Sequence, residues 1–126
     1  MKKKQIESVY VQSIVVPVPR KNLSRYKKWV NTIGPIWKEN GALEVMDCIG
    51  DHVEKGDNTS YPRSVKLKSG EVVCIGWVTF KTKAQFKKAM DRVMDDPRLA
   101  EFMNPDDLFF DGMRFFWGGF KTLARF

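Results

Sequence analysis

Residues 72–80 read VVCIGWVTF, and residues 113–120 read MRFFWGGF. Side chains of an extended chain alternate between two faces. In the first stretch Val72, Cys74, Gly76, Val78 and Phe80 fall on one face, and Val73, Ile75 and Trp77 on the other. In the second, Met113, Phe115 and Trp117 share a face, and Phe116 and Phe120 share its opposite. A sheet with one wet face alternates apolar with polar residues. Neither stretch does, so both are predicted to be strands covered on both sides. What covers the second side decides the architecture.

The elements around these strands narrow the choice. Ser8 to Val18, SVYVQSIVVPV, is rich in β-branched residues and ends at Pro17 and Pro19, which predicts a first strand. Asn22 or Ser24 is placed to cap a helix whose apolar stripe is Leu23, Tyr26, Val30, Ile33 and Trp37. Gly34-Pro35 predicts a kink in it, and Gly41 its end. Ala42 to Gly50, ALEVMDCIG, has strand periodicity, and residues 53–60 form a polar loop. Arg63 to Lys68 alternates with Val65 and Leu67 on one face, which predicts a short extra strand before a tight turn at Ser69-Gly70. Thr82 opens a second helix with Phe86, Ala89, Met90 and Val93 on its inner side, and Asp95-Asp96-Pro97 closes it. Leu99 to Met103 adds a helical turn, and Met113 to Leu123 is the last strand.

The order βαβ(β)βαβ is the ferredoxin-like split βαβ, an α+β fold with an antiparallel sheet. Two helices cover only one face of it. The economical cover for the other face is the same face of an identical chain, because closed twofold dimers are the commonest assembly. The expected partner is therefore a second copy, joined through sheet faces. An open apolar face of this size would otherwise promote aggregation.

Composition sets the outer limits. The chain has 126 residues, 43% hydrophobic and 29% charged, which is the balance of one soluble globular domain. No apolar run is long enough to span a membrane. Lys2-Lys3-Lys4 resembles the charged start of a signal peptide. Glu7, Gln12, Pro17 and Pro19 interrupt the apolar segment after it, so a cytoplasmic location is expected. Cys48 and Cys74 lie in apolar strand-like runs and are expected as free buried thiols. The net charge is +7, and residues 1–40 alone hold nine basic and two acidic residues. The excess therefore sits in the N-terminal Lys run and on the first helix's outer side. The chain holds nine Phe, four Trp and three Tyr, and the excess over an ordinary small core is expected to fill the two faces of the sheet.

Chemistry-bearing motifs are few. No GxSxG, Walker, HExxH or GxGxxG pattern occurs. No cofactor and no metal site is expected: there is no CxxC, and His52 is the sole histidine. His52 follows Asp51, and a carboxylate beside an imidazole suits a general base, although the plainer reading is a surface histidine. The pairs Asp95-Asp96 and Asp106-Asp107, and Asp111-Gly112, are read as caps and turns. Gly118-Gly119 inside a strand marks a bulge or a close approach by another group. Arg114 is placed to pair with Asp111 or with an anionic ligand. The functional reading is a pocket between sheet and helices for a small hydrophobic or aromatic ligand. Trp77, Phe116 and Trp117 would line it, and Arg63 and Arg114 would anchor it. Two alternatives compete. One is a cofactor-independent monooxygenase using His52, Trp77 and Arg114. The other is an RNA-binding module, since residues 73–80 fit part of the stacking motif of such modules at Gly76, Trp77, Val78 and Phe80. The basic residue and the first glycine of that motif are missing, so nucleic acid is the less favoured partner.

Three blocks carry a resemblance. DDPRL at residues 95–99, FDGMRFFWGGF at residues 110–120, and Gly41-Ala42-Leu43 after the first helix together resemble the YbaA-like family of uncharacterised bacterial proteins. The resemblance runs from Tyr10 to Phe120, and it implies a dimeric α/β barrel of ferredoxin-like topology. It implies no catalytic residue. The chain departs from the family pattern at Asp51-His52-Val53-Glu54 and in the basic stretch TKAQFKK at residues 82–88.

Overall fold

The computed structural model describes residues 7–126, so the Lys2-Lys3-Lys4 run lies outside the described residues. In chain order the elements are β1 (Tyr10–Pro19), α1 (Leu23–Glu39), β2 (Glu44–Ile49), α2 (Tyr61–Ser64), β3 (Glu71–Phe80), α3 (Lys83–Met94) and β4 (Phe116–Lys121). Short 3-10 turns lie at Arg20–Asn22 and Pro97–Phe102. The strands pair antiparallel in the order β2-β3-β1-β4, which is the ferredoxin-like arrangement. β1 and β3 are the long central pair, in register from Tyr10 opposite Phe80 to Pro19 opposite Glu71. β4 pairs only with Tyr10 to Val15. Beyond Val15 that side of β1 is an edge, which is where Pro17 and Pro19 cost no ladder hydrogen bond.

Sequence signals explain most boundaries. The Thr82 hydroxyl accepts from the backbone N–H of Gln85 at 3.2 Å and starts α3. Gly41 and Gly70 have φ of +103° and +81°, so both turns use the left-handed backbone that glycine adopts freely. α1 runs unbroken through Pro35 to Glu39. Asn22 precedes α1 without capping it; its side-chain amide donates to the Phe109 carbonyl at 3.1 Å instead.

One expected element is absent. Arg63–Lys68 is not an extra strand: Tyr61–Ser64 is the short helix α2, and a turn comes after it. The Ser60 side chain caps that helix by accepting from Arg63 N–H at 3.1 Å, and Pro62 presets its first turn. Lys66 then has a φ of +49°, which no strand tolerates. The alternation of Val65 and Leu67 has another cause. Val65 is buried against Val15 and Val73, with Leu67 and Ile75 packed beside it. The last strand is also shorter than Met113–Leu123, because the segment before Phe116 is a turn built on Asp111, whose carboxylate accepts from Met113 N–H at 2.8 Å.

The two faces of the sheet have distinct covers. Phe80, Val78, Cys74 and Val72 meet α1, α3 and the 97–110 region. On the other face, the 65–67 turn covers the end of the sheet near Val15 and Val73. The rest of that face is open: Met46, Phe116 and Phe120 are 40%, 44% and 58% exposed. Register places Cys48 opposite Ile75 and Cys74 opposite Ile49. The two thiols therefore point to opposite faces, and both are free. No helix among the described residues is long and apolar enough to cross a membrane.

Candidate functional site

A cavity of about 450 Å³ lies between the helix-facing side of the sheet and α1. Its floor follows from register. Trp117 of β4, Ile14 of β1, Gly76 of β3 and Asp47 of β2 stand side by side in one row across the sheet. Gln12 lies in the next row, opposite Val78. α1 supplies a wall through Tyr26, Trp29 and Ile33, and the segment from Met103 to Phe115 supplies the roof.

That roof has no regular structure, so side chains hold it. Arg25 donates to the Asp107 carboxylate at 3.0 Å and to its carbonyl at 3.1 Å. The Asn22 amide holds the Phe109 carbonyl. The aromatic rings continue the clamp: Phe102 meets Trp29 with centroids 5.4 Å apart, Phe109 meets Phe110 at 5.0 Å, and Phe110 meets Phe115 at 5.6 Å.

Three polar side chains interrupt the hydrocarbon lining. Gln12 and Tyr26 are buried, yet neither has a polar atom that is both sealed from solvent and unbonded. Both open to the cavity. Asp47 is the third. Its residue is exposed at the sheet edge, but its carboxylate lies over Gly76, where a Cβ would collide with it and press on Ile14. The missing side chain at Gly76 is what lets the carboxylate lie inward. Desolvation by the apolar wall raises the Asp47 pKa above its ordinary 3.8. Burial raises that of Tyr26, with the Asp47 charge adding to it. Burial, again helped by Asp47, pushes the Cys74 thiol up to about 11.

The residues that the sequence points to fall in several places. Trp117 lines the cavity. Trp77 borders it, while register turns its side chain toward the outer face, where Phe116 also stands. Arg63 lies outside the cavity: its Nε donates to the carbonyls of Lys55 and Gly56 at 3.2 and 3.0 Å. Arg114 is committed elsewhere as well, to Glu71, Asp111 and the carbonyls of Val65 and Lys66. His52 is 90% exposed in its loop, with Glu54 3.9 Å away. Asp96 caps the turn at Pro97 and pairs with Arg98, which also bonds Glu39. The sequence motifs do not point to Asp47, Gln12 or Tyr26 as site residues. One signal exists for the first of them: Val45, Asp47 and Ile49 share a face, which sends a charge inward.

The model of the DUF1428 family, a protein family of unknown function, matches residues 9–112. YbaA of Escherichia coli K12, an uncharacterised protein, is 32% identical over 114 residues, covering 90% of this chain and 96% of that protein. YbaA of Shigella flexneri matches with the same identity and coverage. Among solved structures, a dimeric ferredoxin-like protein from an uncultured marine organism aligns with a TM-score of 0.56 at 11% identity, covering 92% of this chain and 94% of that one. The PA3566 protein of Pseudomonas aeruginosa aligns with a TM-score of 0.53 at 11% identity, covering 97% and 100%. These two likenesses bear on the fold and agree with the ferredoxin-like sheet. The match over residues 9–112 and the 32% identity to YbaA place the chain in the DUF1428 family.

Proposed function

We propose that this protein binds a small hydrophobic or aromatic molecule in the cavity between sheet and α1. The observation that carries this reading is the cavity itself. At about 450 Å³ it has the size of a small-molecule site, and its walls are hydrocarbon except for Gln12, Tyr26 and Asp47. Cores of this size normally close on themselves. The test is a thermal-shift and tryptophan-fluorescence screen with uncharged, cationic and anionic aromatic compounds, on the wild type and on Ile14→Trp, which fills the floor. Binding in the wild type and its loss in the variant are expected. A wild type that takes none of them sinks the reading.

The working form we propose is a homodimer joined through the open part of the outer sheet face. Met46, Phe116 and Phe120 support it, since such a patch is rare on a monomer. The similar marine protein is itself described as dimeric. Two free thiols on opposite sheet faces fit a reducing cytoplasm. The outer faces of the four strands carry no Lys or Arg, which leaves RNA phosphates without counter-charge there. His52 and Arg114 lie away from the cavity, so the oxygenase reading lacks its chemical groups.

A further inference from the structure

We propose that the cavity selects hydrophobic organic cations, with an ammonium group set against Asp47 and an aromatic body lying between Trp29 and Trp117. The inference rests on the ligand-site reading and adds the chemical class. The charge inventory carries it. Among the described residues, Asp47 is the only charged one that lines the cavity; no Lys, Arg or His joins it. An anionic ligand would bury a second negative charge beside the first with nothing to balance it. A neutral ligand would cover the inward side of the Asp47 carboxylate without supplying a counter-charge. A cation does neither.

The local chemistry agrees. Desolvation alone governs Asp47; no donor and no cation among the described residues pulls its pKa back down. The carboxylate therefore has no charged partner among the described residues. An ammonium has three N–H donors. Asp47 offers one acceptor, and the Gln12 carbonyl oxygen and the Tyr26 hydroxyl open to the same space. Aromatic faces add cation–π attraction in a cavity whose mouth stays open to solvent beside the half-exposed Trp117. Gly76 completes the arrangement by leaving the floor bare beneath the carboxylate.

The titratable groups facing Asp47 are Tyr26 from α1 and Cys74 from β3, and both stay neutral through the acid and neutral range. α3 and the roof segment contribute Met90, Met94 and Met103 and no titratable group to the lining. Asp47 thus sets the pH response alone.

The test is calorimetric titration of the full chain with three probes of matched shape: 1-naphthylmethylamine, 1-naphthylmethanol and 1-naphthoic acid. The amine is expected to bind about 10- to 100-fold more tightly than the alcohol, as a charge-assisted bond implies, and the acid most weakly. In Asp47→Asn the amine should lose that preference while the alcohol binds at least as tightly as before. In the wild type, amine affinity should fall about tenfold per pH unit below the Asp47 pKa, with the alcohol unchanged or tighter. That profile decides the matter even if the variant does not fold. An amine no tighter than the alcohol, a preference that survives Asp47→Asn, or a pH-independent amine affinity overturns the proposal while leaving the cavity as a ligand site. Failure of all three probes overturns both.

Discussion

Arg114 grips Glu71, 43 residues earlier in the chain, with both terminal nitrogens of its guanidinium. Its Nε donates to Asp111 at 2.9 Å, and one terminal nitrogen also donates to the carbonyls of Val65 and Lys66 at 3.1 Å each. The Arg114 and Glu71 side chains are only 11% and 7% exposed. One side chain thereby joins the start of β3, the 65–67 turn on the outer face and the turn that leads into β4. The FDGMR block is a structural fastener, and its arginine has no fork left for an anionic ligand.

Arg114→Ala should destabilise the fold by about 3 kcal/mol, the cost of stranding a buried carboxylate. Arg114→Lys should cost less, since it keeps the charge and loses the fork. The bond from Arg114 holds Glu71 below its ordinary 4.5. A carboxylate with a depressed folded pKa stabilises above its unfolded value and loses that contribution as pH falls through the folded one. Wild-type stability should therefore drop below about pH 4.5 more steeply than that of Arg114→Ala. Urea midpoints across that range measure it; parallel curves would refute the fastener.

The cysteines give a second prediction. Cys74 is buried and its thiol is pushed up to about 11, so it is protonated and shielded at neutral pH. Cys48 is half-buried on the opposite face. At pH 8, in Phe116→Arg, which leaves the outer face uncovered, a thiol reagent should modify one cysteine in the folded chain and two in denaturant. Mass mapping should assign the native adduct to Cys48, and early labelling of Cys74 would contradict the packing.

Much of this architecture is legible in residues 72–80 and 113–120, because strand alternation is a local signal with period two. Thr82, Gly41 and Gly70 announce their boundaries for equally local reasons: a cap oxygen and two left-handed turns. The 63–68 segment misleads for a physical reason. Val65 and Leu67 are apolar two residues apart because a turn presses them onto the outer face, and periodicity alone does not distinguish that from a strand. Ser60 and Pro62 hold the better clue. Asp47 is hidden differently. Between Val45 and Ile49 it looks like an ordinary polar break, and only the pairing of β2 with β3 shows Gly76 beside it, making room.

That cross-strand relationship makes Asp47 a residue held at a cost to stability. Its folded pKa is raised by desolvation, so its contribution runs opposite to that of Glu71. Stability is fullest below the unfolded value near 3.8 and declines as pH rises through the folded pKa. Asp47→Asn should therefore unfold at higher urea than the wild type at pH 7 and at similar urea near pH 3. Gly76→Ala should change stability by no more than about 1 kcal/mol, because the added methyl meets the movable carboxylate end of Asp47 and asks Ile14 to give by only a few tenths of an ångström. Carbon NMR of the Asp47 carboxyl should show its midpoint falling back toward 3.8 in that variant as the side chain swings to solvent. An unchanged midpoint would mean that the inward pose does not depend on the glycine.

The open outer face yields the last prediction. The 65–67 turn already shields Val15 and Val73, so the surface left for a partner is the other end, around Met46, Phe116 and Phe120. Apolar burial contributes about 25 cal/mol per Å², and a charge placed at the centre of such a contact opposes it twice, once from each copy. Light scattering at micromolar concentration should give about twice 14.6 kDa for the wild type. Phe116→Arg and Phe120→Arg, each exposed in the free chain, should give the single mass with the same circular dichroism. Phe86→Arg, on the buried side of α3, should instead unfold the chain. A wild type that runs as a monomer would leave the outer face without the partner its composition calls for. Variants that stay dimeric would move the contact to another surface.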